Sequence, residues 1–249
     1  MKVKTMNDLF KKEKLIWETK IRKTGTKYES FTGIKLPEYK IKFIENICDI
    51  KYSMQIVNST SPMILNVNMG FMLNKSFDYQ SVAFHEFTHL CDYAYMLIDR
   101  DIKYRKTALH LFSEFHASYI ESLHVLGLSN IDGNPTKPLS EVEALIINRI
   151  LHIEENILQC QQNKTVENIY RIIDTYMYYY GSLIAYNQFS SVSQPVRTFD
   201  FMFQNDMSMF YELLKFRNFD ERLLEISYKI KTYIDKKVIF EFTVNKDSN

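Results

Sequence analysis

The run His85-Glu86-Phe87-Thr88-His89 constrains this chain more than any other, because it lies in a stretch whose apolar residues recur at helical spacing. Val82, Ala83, Phe87, Leu90, Ala94, Leu97 and Ile98 predict a helix over 78–99, and Asp78 can cap its first turn. Residues four apart on an α-helix stand about 40° from eclipsed and roughly 6 Å apart along the axis. The imidazoles of His85 and His89 therefore reach one point in space. Glu86 is turned by roughly 100° from His85, which brings its carboxylate beside that point without making it a ligand. The apolar residues around this helix bury it on both sides, and each buried polar group without a partner costs about 1–3 kcal/mol. A zinc ion would satisfy all three, with Glu86 as the general base towards a water.

A catalytic zinc takes three protein ligands and keeps one position open, so the chain has to supply one more. Thr107–Leu126 reads as a second helix with a polar stripe of His110, Glu114, Ala117, Glu121 and His124, while Leu109, Phe112, Ile120 and Leu123 face elsewhere. Glu114 follows His89 by enough chain for the end of one helix, a turn and the return, and is the expected third ligand. Ala117 and Ser118 are small enough to let the two helices approach closely. Asp92, three residues after His89, is expected to accept the second ring N–H of a ligand histidine and fix its tautomer. Glu121 is expected to support the ligands in the same way.

HEFTH followed by Leu90-Cys91-Asp92-Tyr93-Ala94, then Ser113-Glu114-Phe115-His116-Ala117, resembles the glutamate-zincin peptidases. Within them it is most similar to the branch that includes anthrax lethal factor and related clostridial peptidases. The resemblance covers roughly residues 62–126. It implies Zn²⁺ held by His85, His89 and Glu114, peptide-bond hydrolysis with Glu86 as base, and a strand before the zinc helix that pairs with extended substrate. Pro62–Asn68 fits that strand, with Asn66 or Asn68 available to the substrate main chain. The gap between His89 and Glu114 is shorter than in lethal factor, so the oxyanion donor stays open between Tyr104 and the cluster Tyr176-Met177-Tyr178-Tyr179-Tyr180. A weaker resemblance, to repressor-cleaving metallopeptidases of phages and conjugative elements, implies the same chemistry on another substrate.

The rest of the chain sets the frame. Residues 6–23 read as an amphipathic helix, and Gly25, Gly33 and Pro37 read as breaks after it. Short β-branched runs at Tyr39–Ile44, Ile50–Val57 and Pro62–Asn68 predict a small mixed or antiparallel sheet. Beyond about residue 77 the pattern is helical, with breaks near 99–103, 129–138, 163–164, 194–195 and 218. The expected fold class is α+β, one domain over 1–249 with lobes at 1–130 and 131–249. The Met- and Phe-rich stretch Phe199–Phe210 reads as core between them.

A formal net charge of +1 gives no electrostatic case for nucleic acid or an anionic membrane, and the peptidase resemblance implies a protein or peptide substrate as the partner. Cys48, Cys91 and Cys160 are odd in number and widely spaced, and the N-terminus carries charge without an apolar run. The expected location is the cytoplasm. Two other classes compete with the peptidase. A di-iron carboxylate protein would use Glu86-x-x-His89 and Glu121-x-x-His124 as paired ExxH motifs, and a non-catalytic helical interaction protein would dock a partner through residues 199–210.

Overall fold

The structure, a computed structural model, describes residues 6–44, 53–58, 60–72, 78–96, 103–163, 165–191 and scattered positions between 212 and 232. Helix α1 (Met6–Thr32) runs straight through Gly25 and stops where Gly33 takes a φ of +72°, so the break predicted at Gly25 is corrected. The reason is tertiary. A Cβ at Gly25 would stand 2.9 Å from Leu36 Cδ1, with the Tyr39 hydroxyl and the Phe87 ring just beyond. The missing side chain lets neighbouring elements close on α1.

Strands β1 (Tyr39–Ile44), β2 (Met54–Val57) and β3 (Met63–Asn68) form a mixed sheet in the order β1-β3-β2. β3 pairs parallel with β1 and antiparallel with β2. Met63, Leu65 and Val67 alternate into the core, the period expected of a strand with one apolar face. Because β3 is central, its main chain has no free edge. This corrects the expectation that residues 62–68 receive an extended peptide: β2 is an edge strand and β3 is not.

After the short α2 (Met69–Met72), helix α3 (Tyr79–Tyr95) carries the HEFTH run, and Asp78 caps it by accepting from Gln80 N and Ser81 N. It is buried on nearly every side through its middle, from Ala83 to Asp92. Tyr28 of α1 meets Phe84 and Phe87 edge to face, with ring centroids 5.4 and 5.7 Å apart, and hydrogen-bonds Thr88 Oγ1 at 3.2 Å. The remaining helices are α4 (Lys103–Val125), α5 (Ser140–Gln162) and α6 (Val166–Phe189). The architecture is α+β, a small mixed sheet near the N-terminus followed by helices.

The small residues of α4 serve a different neighbour from the one expected. A Cβ on Gly181 of α6 would lie 2.7 Å from Ser118 Cβ and collide with the Phe115 carbonyl oxygen. Ser118 Oγ donates to the Tyr178 carbonyl at 2.7 Å. The close approach at Ser118 is thus between α4 and α6. Among the described residues no helix is long and apolar enough to cross a membrane. Residues 199–210, the breaks near 194 and 218, and Cys48 lie outside the described residues.

Candidate metal centre

Helices α3 and α4 bring His85, His89 and Glu114 together. Their ligating atoms all lie within 4.8 Å of one another, a group that could hold a metal ion. Glu114 Oε2 sits 3.2 Å from His89 Nε2 and 3.5 Å from His85 Nε2, buried and without a hydrogen-bond donor.

The far side of each imidazole decides what Nε2 presents. His89 Nδ1 lies 2.7 Å from Ser113 Oγ, and Ser113 gives its one proton to Asp92 Oδ2 at 2.9 Å. The hydroxyl can then only accept from the ring, so His89 carries its proton on Nδ1 and a lone pair on Nε2. Asp92 thus reaches His89 through Ser113 rather than directly, and its other oxygen takes His116 Nδ1 at 3.0 Å. His85 Nδ1 lies 3.2 Å from Glu121 Oε2, which also accepts from Arg149 Nη2 at 2.8 Å. With Nδ1–H on both rings, each Nε2 is turned to Glu114 Oε2, and either a further proton on an imidazole or a metal ion between them relieves the crowding of acceptors, so the group is one that could hold an ion.

Charge follows the same geometry. Burial alone would lower the His85 pKa, but the carboxylates of Glu114 and Glu121 beside it lift it to about 10. Burial alone would raise Glu114, yet His89 and His85 outweigh it and hold the carboxyl well below the usual range. Glu121 is drawn down to about 2 against its burial, chiefly by Arg149 and then by His85. Glu86 behaves differently: burial pushes its carboxyl up, and the two imidazoles only partly offset this.

A cavity of about 340 Å³ opens on this group, lined by Met54, Ile56, Glu86, His110, Tyr93 and Tyr178 among others. Glu86 is in the cavity but outside the three-residue group, and its Oε2 accepts from the Ile56 N–H of β2 at 2.9 Å. Asn68 N bonds Ser53 O, so the alternation of an antiparallel ladder turns the main-chain groups of Met54 and Ile56 away from β3 and towards the cavity. Of the tyrosine cluster, Tyr176, Tyr179 and Tyr180 are buried in the core, while Tyr178 lines the cavity together with Glu114.

Other expected residues fall elsewhere. Tyr104 belongs to the first turn of α4, and its side chain lies outside the described residues. Asn66 is half-buried on the central strand, and Asn68 is fully buried, its Oδ1 accepting from Gly70 N. Neither lines the cavity. His124 stacks on Phe84 with centroids 3.8 Å apart, and Glu121 is held by His85 and Arg149. The paired ExxH motifs therefore do not meet around one site among the described residues.

Three contributors had no sequence signal. Ser113 stands next to the ligand in the motif, but its place between His89 and Asp92 depends on helix packing. Arg149 and Asp174, the latter 3.1 Å from His110 Nε2, come from α5 and α6. No protein-family model, curated protein or solved structure compared with this chain matches it.

Proposed function

We propose that this chain is a zinc-dependent metallopeptidase acting on a protein or peptide. One observation carries the reading: a buried carboxylate, Glu86, shares a cavity with a two-histidine, one-glutamate group without belonging to it. That donor set suits zinc with one position left open. A bound zinc ion would supply acidification of a water, towards a pKa of about 7, and polarisation of a carbonyl. Glu86 would take the proton from the attacking water and return it to the leaving amine nitrogen. Burial raises its pKa, the direction that suits a carboxylate which must hold a proton before passing it on. Tyr178, on the same cavity wall, would donate to the developing oxyanion. The outward edge of β2 would hold the substrate main chain as an added strand.

The test pairs metal analysis with turnover. Purified protein should contain about one zinc per chain and cleave members of a peptide library followed by mass spectrometry. Glu86→Gln should keep its zinc and lose cleavage by at least about 10²-fold. Undiminished cleavage by that variant, two irons per chain, or no bound metal would overturn the assignment.

A further inference from the structure

Arg149 is one residue that touches the supports of both the metal ligand and the cavity wall. It projects from α5, its side chain only 12% exposed, and donates from Nη2 to Glu121 Oε2 at 2.8 Å. The same carboxylate oxygen accepts from His85 Nδ1 at 3.2 Å. The guanidinium carbon also lies 5.5 Å from the Tyr178 ring centroid, and that ring stands 5.3 Å from the His85 ring. Glu121, His85 and Tyr178 are thus gathered around one permanently charged, planar group.

We infer that Arg149 is a positioning residue of the metal centre, fixing the His85 tautomer through Glu121 and seating the Tyr178 ring beside it. The inference rests on the reading of His85, His89 and Glu114 as metal ligands and does not require peptidase activity. Its physical basis is a matter of donors. An oxygen that already accepts from a guanidinium cannot donate, so His85 must offer Nδ1–H and keep its Nε2 lone pair for the metal. Without Arg149 the carboxylate is free to rotate, and that change releases the ring. Lysine does not restore this arrangement, because an ammonium on a flexible stem carries charge without the planar fork that fixes orientation.

The experiment is a double-mutant cycle on metal affinity. Zinc competition with a chromophoric chelator, and the absorption spectrum of the cobalt-substituted protein, are measured for the native chain, Arg149→Lys, Glu121→Gln and the double variant. Arg149→Met is run beside them, and again with Glu121→Gln, where no buried carboxylate is left unpaired. Each single change should weaken zinc binding by about 10–100-fold and alter the cobalt spectrum, which reports coordination geometry and which a general loss of stability would not move. In the Glu121→Gln background, changing Arg149 should cost less than it does alone, since the charged carboxylate through which it holds His85 is gone. Native affinity and spectrum in Arg149→Lys and Arg149→Met would overturn the inference. So would losses that simply add. The expected losses of zinc affinity in a protein without peptidase activity would leave this inference standing while removing the proposed function.

Discussion

Glu114 is a carboxylate with two imidazole lone pairs in front of it, and something positive has to stand between them. In the metal-free protein a proton on His85 does so, its pKa lifted to about 10. A metal ion must displace that proton. Zinc affinity should therefore rise with pH between about 7 and 9, by close to tenfold per unit, with net proton release in calorimetry run in two buffers. Flat affinity over that window would show that His85 carries no proton to lose. Stability of the metal-free protein has the opposite slope. A pKa raised above the ordinary 6.5 contributes stability that is fully present below about 6.5 and is lost as pH rises through about 10. The chelated protein should lose Tm across that range, and the zinc-loaded protein should be spared this loss. That His85, His89 and Glu114 come together was legible in the sequence because i, i+4 spacing on one helix and a polar stripe on the next are local patterns. Ser113 was not legible as a support, since a hydroxyl acquires that role only when α4 is laid against α3.

At the scale of elements, two glycines separate tight packing from tolerance. Gly181→Ala drives a methyl group into the Phe115 carbonyl, which is backbone and cannot yield. Urea unfolding should show a loss of about 1–3 kcal/mol, and zinc affinity should fall with it, because Phe115 adjoins Glu114. Gly25→Ala meets the movable end of Leu36 instead. There the gain in helix propensity, about 1 kcal/mol, offsets the crowding, and stability should stay within about 1 kcal/mol of native. Strand positions were readable from β-branched runs, and Tyr39–Ile44 has the same bounds in the structure. Strand order was not. The parallel pairing of β1 with β3 puts β2 at an edge, and nothing in the residues of any one strand records which neighbours it will have.

Across the whole molecule, the candidate metal centre joins elements far apart in the chain. The three residues that could hold the ion come from α3 and α4, as do Asp92, Ser113 and Glu121 behind them, while Arg149 and Tyr178 come from α5 and α6. A ligand that binds only the folded state adds about 2.7 kcal/mol when free at one hundred times its Kd. Chelation should accordingly lower the melting temperature in scanning fluorimetry, and re-addition of zinc should restore it. An unchanged transition would mean that no metal is held. The helical half was legible as helix from periodicity alone, but its part in the site was not, because no local pattern ties Arg149 to Glu121. The reach of that one guanidinium bears on any attempt to transplant the site. A fragment ending after α4 would keep His85, His89 and Glu114 yet lack Arg149 and Tyr178, so the smallest portable unit runs from the sheet through α6, and grafting the two motif helices alone would carry over the ligands without the frame that aims them.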